Sequence, residues 1–181
     1  MTREKDTQRS ALYAWERALI GMPDRTREMT LDECAALVAR VWSEYRPGDE
    51  PPRITDGRGA RIARGARYSL KLPRWARRPG TVLHETAHSL MPRDGEAAHG
   101  PEFATLLLDL LTRYVGIDRA AARKAGIEQR PRRVHFAPAA KVPQRRSREY
   151  MRWHARVVEA RKAYAQARAT YDAIQRERPA R

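Results

Sequence analysis

The strongest chemical signal in this 181-residue chain is the run His84-Glu85-Thr86-Ala87-His88, an HExxH pattern. Residues four apart share one face of a helix, so both imidazoles can reach a single metal ion while Glu85 projects beside them. Imidazole nitrogen suits zinc, which brings the pKa of a bound water toward neutrality. A neighbouring glutamate can then accept the proton as the water attacks a carbonyl. At this chain's own His and Glu frequencies the pattern arises by chance about 0.01 times. The competing reading is a solvated helix face with two unliganded histidines.

A catalytic zinc needs a third protein ligand and an open fourth position. His99, eleven residues after His88, is the leading candidate. It stands just before a proline-started helix, and the loop from Pro92 to Ala98 can swing it back toward the first motif. Asp94, Glu96 and Glu102 are the competing donors. Asp94 and Glu96 read as ordinary loop acids, and Glu102 falls in a first helical turn, where a carboxylate is favoured by the helix dipole anyway. His135 and His154 read as exposed polar residues. The sequence names no residue as the group that stabilises an oxyanion; Tyr68, Arg113 and Tyr114 are candidates only in that they flank the site.

These groups must be held by structure. The spacing predicts a helix from Thr81 to Leu90 carrying HExxH, with Thr81 as N-cap and Met91-Pro92 as the stop. Its apolar face is Leu83, Ala87 and Leu90. A second helix opens at Pro101 and ends at Gly116. Upstream, residues 7–20 form a helix through Leu12, Trp15 and Leu19. Thr30 and Glu33 form a capping box for another that ends at Pro47-Gly48. Cys34 lies in the apolar stripe of that helix and reads as a small core residue, with no second cysteine to pair with.

Between them, residues 53–55 and 60–64 suggest short strands around a glycine turn. Tyr68 to Leu72 alternates polar and apolar as a half-buried strand that Pro73 closes. The expectation is a small antiparallel sheet, with residues 68–72 as an edge able to hold an extended peptide by strand addition. Asp118 to Gly126 is a short basic helix.

His84 to His88 followed by His99-Gly100-Pro101-Glu102-Phe103 resembles the HExxH…HGPEF arrangement of a group of zinc metallohydrolases from actinobacteria and their phages. Tyr68 to Leu72, the run Leu72-Pro73-Arg74-Trp75-Ala76-Arg77 and Thr81-Val82-Leu83 resemble the same group, over about residues 30–116. More distantly, the pattern is similar to SprT-like zinc metalloproteases, whose third ligand is the histidine of an HGxxF segment. Phe103 matches the aromatic of that segment. The resemblance implies zinc on His84, His88 and His99, Glu85 as general base, and a minimal zincin-like α+β domain with a small sheet over two helices. The long basic C-terminal helix departs from the family's core.

Charge divides the chain. The net charge is +15, yet residues 1–118 hold 19 basic and 17 acidic side chains against 18 and 5 in residues 119–181. The organisation read from this is a metallohydrolase domain over 1–127, a Pro/Arg-rich linker or strap over 128–146, and a basic helix over 147–181. The last carries a heptad seam through Tyr150, Trp153, Val157, Ala160, Tyr164, Ala167, Tyr171 and Ile174. Such a segment can attract nucleic acid without sequence preference, lie on a membrane surface, self-associate, or simply be solvated.

No secretory signal or membrane span is read, and a cytoplasmic setting is expected. Three function classes follow. The first is a zinc-dependent metallopeptidase acting on a peptide or protein. The second is a nucleic-acid-associated binding protein with a structural or vestigial zinc. The third is a protease brought to DNA-bound proteins by its tail.

Overall fold

Thr30 begins its helix as its sequence predicts. The Thr30 hydroxyl accepts from the Glu33 amide at 3.1 Å, and the Glu33 carboxylate accepts from the Thr30 amide at 2.8 Å. The structure is a computed structural model that describes residues 8–20, 27–91, 99–138, 152, 155–156, 159–160 and 162–170. Its elements in chain order are α1 (Arg9–Ile20), α2 (Leu31–Tyr45), β1 (Arg53–Asp56), β2 (Arg64–Ala66) and β3 (Ser69–Leu72), followed after a 3-10 turn (Arg74–Ala76) by α3 (Pro79–Leu90), α4 (Pro101–Val115) and α5 (Arg119–Glu128). The architecture is α+β.

The sheet corrects one expectation. Its order is β1-β3-β2, with β3 antiparallel to β2 but parallel to β1, so it is mixed and not antiparallel throughout. The reason lies in residues 57–68. The chain turns at Gly59, whose φ of +76° suits glycine, crosses over to form β2, then reverses through Arg67-Tyr68. A short hairpin must be antiparallel, and β3 returned by it runs in the direction of β1. Residues 60–63 form the crossing loop, so the strand expected over 60–64 begins only at Arg64.

β3 alternates as expected, Leu70 and Leu72 buried and Ser69 and Lys71 exposed. Burying each leucine contributes about 1.5–3 kcal/mol, and a one-residue slip would expose both, which fixes the register. These leucines pack with Val82, Val38 and Cys34 in a small core between the sheet, α2 and α3. Burial pushes the Cys34 thiol up to about 11, in keeping with a packing role.

α3 is the central helix. It begins at Pro79 and not at Thr81, because the ring's fixed φ preorganises the first turn, and Arg78 takes the N-cap position. One face, Leu83, Ala87 and Leu90, joins Leu107 and Leu111 of α4 in the main core. α4 starts at Pro101 and ends at Gly116 in the left-handed conformation (φ +76°). α5, capped by Asp118, receives the Trp15 indole N–H of α1 on the Ala122 carbonyl at 2.8 Å.

Beyond α5 the chain fastens two helix starts at once. The His135 amide donates to the Gln8 side chain at 2.8 Å, while the Ala137 amide donates to the Pro101 carbonyl at 3.1 Å. The beginnings of α1 and α4 are thereby tied to one segment. His135 is exposed, as expected.

Residues 162–170 are helical, with the seam positions Tyr164 and Ala167 exposed. Tyr150, Trp153, His154, Val157, Tyr171 and Ile174 lie outside the described residues. Among the described residues, no helix is long and apolar enough to cross a membrane.

Candidate metal centre

Helical spacing places His84 and His88 on one face of α3, and the Gly100 cap with Pro101 at the first position of α4 sets His99 against them. One ligand atom from each of the three histidines lies within 4.8 Å of the others. The Nε2 atoms of His84 and His88 are 3.2 Å apart. Phe103, one turn into α4, sits against the three imidazoles, with centroids 5.0, 4.4 and 5.1 Å from His84, His88 and His99.

Nitrogen donors converging from three neutral-capable rings form a donor set that fits a borderline-soft divalent ion such as zinc. The protonation pattern agrees with that fit. Glu16 accepts from His84 Nδ1 at 2.9 Å, and a carboxylate can only accept, so the proton sits on Nδ1 and Nε2 can turn its lone pair to the cluster. Burial pushes His84 down, but the charge and hydrogen bond of Glu16, with Glu85 adding, hold it above the ordinary 6.5. His88 is pushed down to about 2, first by burial and then by His84 and His99, which favours its neutral form, the form a metal needs.

Glu85 is 8 % exposed and accepts a hydrogen bond from the Gly65 amide of β2. Burial raises its carboxyl above the usual range, with Glu16 adding, while His84 and the Gly65 amide pull it back. A raised carboxylate is a better proton acceptor for a group of near-neutral pKa. The approach of β2 to α3 depends on glycine, since a Cβ on Gly65 would lie 2.0 Å from the Glu85 carbonyl oxygen.

Two residues of the site went unread in the sequence. Tyr13 of α1 places its hydroxyl 3.3 Å from His99 Nε2 and stacks on His84 at 5.5 Å between centroids. Burial raises its phenol. Glu16, one turn on, reaches His84 as described. In the sequence both lie on a helix whose visible pattern is its apolar stripe. Their signal is weak: a Tyr and a Glu three apart on the flank of that stripe.

The other candidates separate from the site. Asp94 and Glu96 lie outside the described residues. Glu102 is not part of the ligand group, which among the described residues comprises His84, His88 and His99. Arg113 and Tyr114 stand at the far end of α4, where Arg113 pairs with Glu44 of α2 at 3.9 Å and the Arg40 guanidinium lies over the Tyr114 ring. Tyr68 is exposed at the β2–β3 turn, under Arg67. β3 is paired on both sides, so strand addition at residues 68–72 has no open edge.

Comparison with protein-family models, with curated proteins and with solved structures finds no match for this chain.

Proposed function

We propose that the chain is a zinc-dependent metallohydrolase of the zincin type, acting on peptide bonds. The observation that carries this reading is the convergence of His84, His88 and His99 with Glu85 beside them. His84, His88 and His99 would hold the ion. Bound zinc supplies an acidified water and polarises a substrate carbonyl.

The chain's own groups supply the rest. Glu85 takes the proton of the attacking water and returns it to the leaving amine. The Gly65 amide fixes one of its oxygens and leaves the other for that proton. Glu16 orients His84 and sets its tautomer. Tyr13, in the lining of the cavity beside Glu85 and with its hydroxyl 3.3 Å from His99 Nε2, supplies an O–H donor for an oxyanion. An apolar floor of Phe103 and a largely buried surround keep the local dielectric low, which strengthens each of these interactions.

Metal analysis of the purified full chain tests the reading alongside a peptide-library cleavage screen. About one zinc per chain is expected. Glu85→Gln should keep the metal and lower hydrolysis by roughly 10²–10⁴-fold. Unchanged hydrolysis in Glu85→Gln would sink the general-base role, and absence of bound metal would sink the whole reading.

A further inference from the structure

Beside Glu85 a cavity of about 490 Å³ opens between α1, the start of α3 and the crossing loop of residues 60–63. Its inner end is formed by His84 and Glu85, and its walls by Tyr13, Ile62, Ala63 and Trp75. Ile62 is 60 % exposed and Trp75 53 %, and they are two of the five large hydrophobic residues that the described chain leaves open to water. Leaving two such side chains exposed on one cavity costs free energy unless a ligand covers them. The Trp75 indole N–H donates to the Ala60 carbonyl at 3.3 Å, which fixes the ring against the loop. The exposed faces of Trp75 and Ile62, both in the lining, suit a flat apolar ring.

Charge narrows the occupant further. Arg9, Tyr13 and Arg17 follow each other at four-residue spacing, so α1 turns one face to the cavity with a guanidinium at either end. The two acids of the lining are already engaged, Glu16 by His84 and Glu85 by the Gly65 amide. Arg9 lies over the Tyr13 ring at 5.5 Å, and Arg17 is exposed. Arg9 is engaged by Tyr13, which leaves Arg17 as the exposed guanidinium in the lining that can meet an entering anion. Guanidinium forks bind carboxylates in a planar two-point contact.

We infer that this cavity is a substrate subsite that takes an aromatic residue bearing a free carboxylate, the ring between Trp75 and Ile62 and the carboxylate on Arg17. The substrate class is then a peptide that ends in an aromatic residue just beyond the bond to be cut. The inference rests on the hydrolase reading for the cutting, but not for the binding.

The test uses the full chain and three probes, N-acetyl-L-phenylalanine, its amide and N-acetylglycine, with dissociation constants measured by ligand-observed NMR. N-acetyl-L-phenylalanine should bind on the order of a millimolar. The amide and N-acetylglycine should each bind at least about tenfold more weakly, as should the acid to Arg17→Gln and to Trp75→Ala. Ile62→Asp, on an exposed loop, gives a second wall variant in case Trp75→Ala folds poorly. Equal binding of acid and amide, or acid binding indifferent to both wall variants, overturns the inference. Wall-dependent binding of the acid without hydrolysis of any peptide upholds the subsite and removes the hydrolase reading. Hydrolysis with no preference for a terminal aromatic residue does the opposite.

Discussion

Two polar clusters are built along α4, and they are satisfied in opposite ways. At its start, His84, His88 and His99 turn their ligand atoms toward one another. Further along, Tyr45 of α2 donates its hydroxyl to one oxygen of Asp109, and Arg119 of α5 donates to the other at 2.7 Å. In the second cluster each donor meets an acceptor of its own, and the network ties three helices together. In the first, three rings of like kind face a common point, where a neutral pair at 3.2 Å has one proton to share or none. The closed cluster reads as structure and the convergent one as a binding site.

The difference is sharpest in metal affinity, and His99→Ala should break it most. Removing the third nitrogen leaves two ligands on a single helix face. The expected outcome is a fall from about one zinc per chain to near none after dialysis against micromolar metal, read by elemental analysis. Metal retained at full stoichiometry would mean that a donor other than His99 completes the site.

Glu16→Gln should act at intermediate strength. The amide can still meet His84 Nδ1 but no longer stabilises charge there, and loss of such a partner costs about 10–100-fold in metal affinity. It also changes the pH response. The raised pKa of His84 means that protons compete with metal as pH falls through a range above 6.5. A ligand must be deprotonated to bind, so affinity is full above that range and is lost below it. Without the Glu16 charge, the His84 pKa drops, and the acid limb of the metal-binding curve should move to lower pH. A competition titration with a chromogenic chelator at several pH values reads both effects. A limb that does not move would remove Glu16 from the site.

Much of the convergent cluster was legible in the sequence because it is local. His84, Glu85 and His88 lie within two helical turns, and the proline that starts α4 fixes where His99 enters. The capping box at Thr30, the alternation of β3 and the glycine end of α4 are local too, and they are present in the structure. What escaped the sequence is carried by distant pairs. Glu16 meets His84 across 68 positions, and Tyr13 meets His99 across 86. The α1 pattern reports that one face is buried but not which polar neighbours it will meet. Parallel pairing of β1 and β3 was hidden for a similar reason, since a period of two marks a strand but is silent about its partner's direction. Gly65 did leave a sign, as a glycine beside a strand marks a close backbone approach.

The closed cluster supplies the smallest expected effect on the metal. Asp109→Ala strands the Tyr45 hydroxyl, which is nearly buried, and burial together with Asp109 already holds that phenol above its ordinary value. An orphaned buried hydroxyl costs about 1–3 kcal/mol. The Arg119 contact adds little, because its side chain is 42 % and that of Asp109 35 % exposed. Denaturant unfolding should therefore show a loss of that size, while zinc affinity stays within about twofold, since effects at distant sites without shared partners are separable. Tyr45→Phe in the same background should recover part of the stability by removing the stranded group. If Asp109→Ala instead lowers metal affinity as much as Glu16→Gln does, the two clusters are one network through α4, and the distinction between a closed and a convergent site fails for this fold.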